Sequence, residues 1–174
     1  MSTRKLLLSV ASLLLVVAAA RADGPDLGKP ISPTELAPWD IHIMPDGTGL
    51  PPGSGTFAQG KLIYAQKCAL CHGENGTGGL SAALVGGPPR ASLDGGKTIA
   101  NYWPYSTTLF DFIRRAMPYT QPKSLTDDEV YAVTAYILAL NKLIGEADVI
   151  NAQTLPKVQM PNRDNFIIRF PDRI

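Results

Sequence analysis

The sequence predicts an all-α domain over residues 55–141, flanked by long irregular extensions. Helical patterns begin and end this domain, at residues 55–68 and 125–141, and a shorter one lies between them at 106–118. The sequence shows neither a series of alternating strands nor βαβ repeats, and its 15 prolines and 16 glycines indicate much irregular structure. A modest helical core that carries long loops is therefore expected.

The N-terminal residues have the pattern of a cleaved export signal. Basic residues precede an apolar run that ends at Ala20, and Ala20-Arg21-Ala22 has the small residues of a signal-peptidase site. The run is short for a bilayer span. We therefore expect cleavage after Ala22 and a periplasmic protein with no membrane span after cleavage.

Signal cleavage would change the net charge of the chain, which is predicted to have four segments. Of the 16 basic residues, three lie in the signal and no acidic residue does, which leaves 13 against 15 acidic residues and a net charge of −2. This balance favours neither nucleic acid nor an anionic membrane as a partner. The predicted segments are a signal peptide (1–22), an N-terminal extension (23–54), the helical domain (55–141) and a C-terminal extension (142–174).

Both cysteines of the chain lie in one short motif, Cys68-Ala-Leu-Cys71-His72. A redox dithiol is expected in a βαβ setting, and structural zinc needs four ligands, whereas His42 is the one further histidine. CxxCH is the attachment motif of a covalent haem, in which both thiols bond to vinyl groups and the histidine ligates iron. The motif therefore predicts one haem c on Cys68 and Cys71, with His72 as an axial ligand.

The helix before this motif places Phe57, Gly60 and Tyr64 on one face. Glycine lowers helix stability, so Gly60 indicates either a close approach by another element or a merely tolerated glycine. After His72 the chain becomes glycine-rich, as in a loop that bends around a bound group or in a linker.

The two later helices have their own start and stop signals. The short helix begins with Ser106 or Thr107 as its predicted cap and is stopped by Pro118. The long helix begins with a capping box formed by Thr126 and Glu129. An apolar stripe along each helix faces the expected core.

A second axial ligand must come from His42, Met44, Met117 or Met160. Each of these methionines precedes a proline, so the dipeptide does not discriminate between them. Met117 ends the short helix, where two helices fix its backbone, whereas Met44 and Met160 lie in the proline-rich extensions, outside the expected helical core. We therefore predict Met117 as the ligand; a methionine can otherwise fill core space, and His42 is expected at the surface or an interface.

CxxCH after a helix with Gly60 and Tyr64, a later Met-Pro and a long final helix resembles class I cytochrome c over residues 55–141. The resemblance implies that the first and last helices cross, with the haem between them and Gly60 and Tyr64 near Tyr136. Bacterial members often carry a proline before an LxG sequence, whose carbonyl accepts a hydrogen bond from the axial histidine. The matching position here is Ala82, with Pro88 as the alternative.

A narrower resemblance includes both extensions. The stretches WDIHIMPDGTGLPPGSG, NYWPYSTTLFDFIRRAMPYTQPKSLTDDE and ADVINAQTLPKVQMPNR are similar to the cytochrome subunit of periplasmic molybdenum sulfite and sulfur dehydrogenases, such as the SoxD-like haem domain. Some such subunits are dihaem, whereas this chain has one CxxCH. The resemblance implies an electron-transfer subunit rather than an enzyme, which passes electrons from such a dehydrogenase to a downstream cytochrome c or terminal oxidase.

Several alternatives stay open at this stage. The chain could accept electrons from another periplasmic dehydrogenase, act as a haem enzyme on peroxide or thiosulfate, or dock an enzyme with haem as a structural prop. The extensions either contact the dehydrogenase or wrap their own core. Trp103 and Tyr105, with Tyr102, are candidates for the haem surroundings or for core packing. Arg114 and Arg115 are candidates to pair with a haem propionate or a partner carboxylate, or to be a solvated helix end.

Overall fold

The computed structural model describes residues 28–87 and 96–167, in two compact units, Met1–Asp40 and Ile41–Ile174. The expected signal peptide and Pro88 lie outside the described residues. The described part of the first unit contains one helical turn, α1 (Pro33–Leu36), whose N-cap Ser32 forms a capping box with Glu35. Within the described ranges, none of the helices combines the length and apolar character needed to cross a membrane.

The second unit is mostly helical, with one small sheet. In chain order its elements are β1 (Ser54–Thr56), α2 (Phe57–Lys67), α3 (Ala69–His72), α4 (Ile99–Tyr102), α5 (Ser106–Ala116), α6 (Asp127–Leu140), β2 (Val149–Asn151) and two 3₁₀ turns, Leu155–Lys157 and Arg163–Asn165. The predicted helical fold is confirmed, with the antiparallel pair β1–β2 added.

Helices α2 and α6 cross at Gly60. A Cβ built on Gly60 would overlap the backbone carbonyl of Ala132 and lie 2.8 Å from the Cβ of Tyr136. Next to this contact, the rings of Tyr64 and Tyr136 lie 5.0 Å apart, centroid to centroid. Because the backbone of α6 occupies the space of a side chain, the glycine marks a close helix approach, as the first of the two interpretations predicted.

Local signals set the start of α6 but not that of α5. At α6 the Glu129 backbone N–H donates to Thr126 Oγ1 (3.2 Å), and the Thr126 N–H donates to Glu129 Oε2 (2.8 Å), as the predicted capping box requires. Helix α5 begins after Tyr105 without a side-chain cap. The prediction of Ser106 or Thr107 as its cap is wrong, because the Ser106 hydroxyl donates instead to the buried carbonyl of Leu155 (2.6 Å).

Residues 41–54 and 149–162, here called the wrapping segments, pack against the helical domain. Strand β1 pairs with β2 in antiparallel register, and the core includes Ile150, Leu155 and Met160. The expectation that Met160 lies outside the core is wrong, since only 3% of its surface is exposed. These parts of the two extensions therefore wrap their own core, as one of the two interpretations predicted, and contact with a dehydrogenase stays a prediction.

Polar contacts hold both wrapping segments in place. The Tyr131 hydroxyl donates to the carbonyl of Pro51 (2.8 Å), and Asp128 Oδ1 accepts from the Ser54 N–H (2.8 Å). On the C-terminal side, Asn162 Nδ2 donates to the carbonyl of Tyr102 (2.6 Å). Side chains of α6 and of the C-terminal wrapping segment thus satisfy backbone groups that no regular helix or sheet would pair.

Candidate haem-binding site

The two cysteines lie where α2 ends and α3 begins. Cys68 caps the last turn of α2, with its N–H bonded to the carbonyl of Tyr64 (2.9 Å), and the N–H groups of Cys71 and His72 bond back to the carbonyl of Cys68. Both thiols are free, Cys68 half-buried and Cys71 exposed. Burial raises the pKa of the Cys68 thiol to about 11, so it is protonated at neutral pH.

The imidazole of His72 is held by one backbone carbonyl. Its Nδ1 lies 2.9 Å from the carbonyl oxygen of Ala82. Because a carbonyl can only accept, Nδ1 carries the proton, and Nε2 keeps its lone pair for a metal. The structure confirms Ala82, the carbonyl that the resemblance indicated.

The loop after His72 folds back on the CxxCH turn. The Ser81 N–H donates to the carbonyl of Cys71 (2.8 Å), and the Leu84 N–H donates to the carbonyl of Gly76 (2.7 Å). A Cβ on Gly79 would overlap the carbonyl of Cys71, so glycine is required where the loop backbone passes closest to the turn.

Two tyrosines from the helix crossing hold the chain just beyond His72. The Tyr64 hydroxyl donates to the carbonyl of Gly73 (3.0 Å), and the Tyr136 hydroxyl donates to that of Glu74 (3.3 Å). Burial raises the pKa of the Tyr64 hydroxyl to about 12, which keeps it protonated and a donor. The resemblance implied that both tyrosines lie near the crossing, but the sequence gave no sign of these acceptors.

The end of the same loop is held by Asn141, the residue that caps α6. Its Nδ2 donates to the carbonyl of Leu84 (3.2 Å), and its Oδ1 accepts from the Gly86 N–H (3.3 Å). The Thr98 hydroxyl donates to the carbonyl of Gly86. Sequence reasoning missed both side chains, because a polar residue at a helix end also serves as an ordinary cap.

The structure separates the candidates for the second axial ligand. Met117 ends α5 in extended conformation and is half-buried against the core. Met160 is enclosed in the core, and Met44 lies in a turn closed by its N–H to the carbonyl of Thr48 (2.9 Å). His42 is exposed. Among the described candidates, Met117 is the one at the end of a helix of the cytochrome domain.

The predicted aromatic surroundings have identifiable partners. Trp103 packs edge-on against Phe112 of α5, with ring centroids 5.5 Å apart, and Trp103 is only half-buried. Tyr105 instead lies under the guanidinium of Arg163, 5.2 Å from the ring centroid. The two residues therefore differ: Trp103 keeps an apolar face near α5, whereas Tyr105 contacts the C-terminal wrapping segment.

Both arginines beside Met117 are engaged by their own chain. Arg114 pairs with Asp127 (3.0 Å), and Arg115 pairs with Asp111 (2.6 Å) while donating to the carbonyl of Ile41 (2.8 Å). A solvated helix end does not describe these contacts. Arg115 links α5 to the N-terminal wrapping segment.

Together these residues fit a covalent haem. A single turn presents two free thiols and an imidazole whose tautomer is set for metal binding. The half-buried Met117 offers a soft thioether sulfur, a ligand type that would suit haem iron. Cys68, Met117, Leu84 and Trp103 all pack, partly buried, against the apolar core.

Comparisons with known proteins bear on the domain that carries these residues. Residues 55–137 match the family model of the cytochrome c oxidase, cbb3-type, subunit III. The chain is 34% identical over 87 residues to a thiosulfate dehydrogenase of Stutzerimonas stutzeri (strain A1501), a match that covers 50% of this chain and 28% of that protein. It is 28% identical over 113 residues to a thiosulfate dehydrogenase of Psychrobacter arcticus (strain DSM 17307 / VKM B-2377 / 273-4), covering 59% and 32%. The matches thus span about a third of these curated relatives.

A solved structure extends the similarity beyond the helical domain. The crystal structure of the sulfane dehydrogenase SoxCD from Paracoccus pantotrophus superposes with a TM-score of 0.76 at 36% sequence identity. The match covers 86% of this chain and 73% of that chain. Because this coverage exceeds the helical domain, the likeness includes parts of the extensions.

Proposed function

The chain belongs to the class I cytochrome c family as a SoxD-like cytochrome, and from this premise we propose a periplasmic monohaem carrier of single electrons. Its donor is a periplasmic molybdenum dehydrogenase that oxidises sulfite or a related sulfur compound. Its acceptor is a downstream cytochrome c or terminal oxidase. The similarity to SoxCD supports a sulfur dehydrogenase as the partner.

The observation that carries the proposal is the CxxCH turn with its oriented histidine. Haem c, when bound, supplies a one-electron iron couple. Cys68 and Cys71 would hold it through thioether bonds, and His72 Nε2 and the Met117 sulfur would ligate its iron. With Ala82 accepting from Nδ1 (2.9 Å), the imidazole is fixed in the ligating orientation. An iron ligated by both residues would offer no free position to a substrate, which suits a carrier.

A second candidate is a haem enzyme that oxidises thiosulfate itself. The names of the two curated relatives favour it, since both are thiosulfate dehydrogenases. Such an enzyme requires an axial position that substrate can reach. The two functions therefore differ in whether the Met117 bond persists in the oxidised protein.

Ligation is tested on the purified holoprotein. We expect the weak long-wavelength absorption of a methionine–iron bond in the oxidised wild type, its loss in Met117→Ala and its retention in the matched control Met44→Ala. Loss in Met44→Ala alone would assign the ligand to the N-terminal wrapping segment.

Mass spectrometry should find one covalent haem and an N-terminus at Asp23; a different first residue would contradict cleavage after Ala22.

The donor is tested by rapid mixing. A purified periplasmic molybdenum sulfite dehydrogenase, with sulfite present, should reduce this haem at its turnover rate, whereas sulfite or thiosulfate alone should not. Failure of the enzyme to reduce the haem would remove the proposed donor and leave the cytochrome assignment intact. Fast reduction by thiosulfate alone would favour the second candidate.

A further inference from the structure

The Ala82 carbonyl that orients His72 belongs to a loop held from the far end of α6. Asn141 caps that helix and bonds two backbone groups of the loop: Nδ2 donates to the carbonyl of Leu84 (3.2 Å), and Oδ1 accepts from the Gly86 N–H (3.3 Å). The same Nδ2 donates to the carbonyl of Ile137 (2.9 Å) within α6. One side chain thus ties a rigid helix to the loop by a donor and an acceptor together.

The segment between the contacts of Asn141 and Ala82 is short. Ala82 lies two residues before Leu84, and Leu84 is held further by its N–H to the carbonyl of Gly76 (2.7 Å) and by the Ile99 N–H on its own carbonyl (3.2 Å). Ala82 itself is exposed. Its carbonyl position therefore follows from where residues 84–86 are fixed.

The position of that carbonyl matters chemically, because it accepts the Nδ1 proton of His72. A strong Nδ1–H···O=C bond makes the imidazole a better electron donor through Nε2 and favours the oxidised metal. A longer or more variable bond weakens that donation and raises the reduction potential.

We propose that Asn141 is a positioning residue for the axial histidine: by pinning residues 84–86 it holds the Ala82 carbonyl on His72 Nδ1 and thereby lowers the reduction potential of the haem. The proposal rests on the proposed function only in that His72 ligates the haem iron. It does not depend on which protein donates the electron.

The test compares two asparagines in the full-length holoprotein. Asn141→Leu keeps a side chain of similar size and removes both contacts to the loop. The matched control is Asn162→Leu. Asn162 lies in the C-terminal wrapping segment, and its amide donates to the carbonyl of Tyr102 in α4 (2.6 Å) rather than to this loop. Redox titration gives the potential, and NMR of the reduced protein gives the exchange rate of the His72 Nδ1 proton.

We expect Asn141→Leu to raise the potential and to speed exchange of the His72 Nδ1 proton roughly tenfold, about the effect of losing one hydrogen bond. Asn162→Leu should lower stability without either change. A stability loss in Asn141→Leu with unchanged potential and exchange would overturn the proposal, and so would equal potential shifts in both variants.

A second variant keeps the proposal testable if Asn141→Leu does not fold. Thr98→Val removes the hydroxyl that donates to the carbonyl of Gly86 and should shift the potential in the same direction by a smaller amount; an unchanged potential would count against the proposal. Wild-type protein without covalent haem would end both this proposal and the proposed function. A dehydrogenase that fails to reduce normal holoprotein would end only the proposed donor.

Discussion

The two ends of α6 contact the rest of the chain in different ways. Near its start, Tyr131 is enclosed, with its ring 4.4 Å from that of Phe110, and the wrapping segments add Ile150 and Leu155 to the same apolar core. Near its end, α6 uses polar groups: the Tyr136 hydroxyl and the Asn141 amide donate to the carbonyls of Glu74 and Leu84, in the loop after His72. Close packing secures the first region, and directional hydrogen bonds secure the second.

This difference separates stability from site geometry. Apolar burial is proportional to area and does not specify direction, so it suits a frame that must persist. Hydrogen bonds fix the positions of individual atoms, so they suit a loop that must hold one carbonyl against one imidazole. Substitutions at the first region should mainly change the free energy of unfolding, and those at the second should mainly change the site.

The largest effect is expected from Leu155→Ala in the C-terminal wrapping segment. Leu155 is 0% exposed, so the substitution leaves a cavity and should lower the free energy of unfolding by about 3 kcal/mol. Denaturant unfolding of the holoprotein measures it. The control Leu62→Ala, at a side chain that is 68% exposed, should change it by less than about 0.5 kcal/mol. Equal small effects would mean that the wrapping segment does not belong to the cooperative core.

Gly60→Ala should be next. The added Cβ overlaps the Ala132 carbonyl, and the resulting separation of α2 and α6 should cost about 2 kcal/mol, even though alanine favours helix more than glycine does. Gly96→Ala is the control, because a Cβ there meets nothing within 4 Å. An unfolding midpoint for Gly60→Ala equal to that of Gly96→Ala would refute the close crossing.

Removal of the α6 cap by Thr126→Ala should lower the free energy of unfolding by about 1 kcal/mol, with Thr108→Ala as the exposed control.

The cap also implies a pH dependence, since the hydrogen bond from the Thr126 backbone holds the pKa of Glu129 below its ordinary value in the folded protein. This contribution is complete above the ordinary pKa and is lost as pH falls through the lowered value. Glu129→Gln should flatten that part of the acid unfolding profile, and an unchanged profile would assign the acid sensitivity to other groups.

The smallest effect is expected from Leu80→Ser in the haem-binding loop. Leu80 is 97% exposed, so stability should change by less than about 0.5 kcal/mol. Thermal unfolding of the holoprotein measures this, beside Leu155→Ala. A loss comparable to that of Leu155→Ala would erase the contrast between the two regions, because apolar packing would then also stabilise the loop.

Features encoded by neighbouring residues were predictable from the sequence. The three main helices and the Thr126–Glu129 capping box follow from residue spacing and local chemistry. The crossing at Gly60 followed from the resemblance, since the spacing alone left a merely tolerated glycine open. The Ala82 contact followed from a resemblance rather than from spacing, because the carbonyl lies ten residues from His72.

Features that depend on distant partners were not predictable. Ser106 looks like a helix cap, but its hydroxyl is used by the carbonyl of Leu155. Met160 looks peripheral in a proline-rich stretch, yet it is enclosed by the core. Both contacts involve the C-terminal wrapping segment, whose sequence has no helical period to reveal which side chains face inward. Asn141 was missed for a similar reason, since its two loop partners, Leu84 and Gly86, are far away in sequence.

The pairing of β1 with β2 also affects the order in which parts of the chain can fold. Ser54, just before α2, pairs with Asn151, so most of the chain must be present before the sheet can close. Contacts between such distant residues slow folding, because a long loop must be ordered before they stabilise the structure. When the chain emerges N-terminus first, Cys68 and Cys71 are therefore exposed before the residues that complete the core are available. We therefore expect haem attachment to precede the packing of the C-terminal wrapping segment against the core.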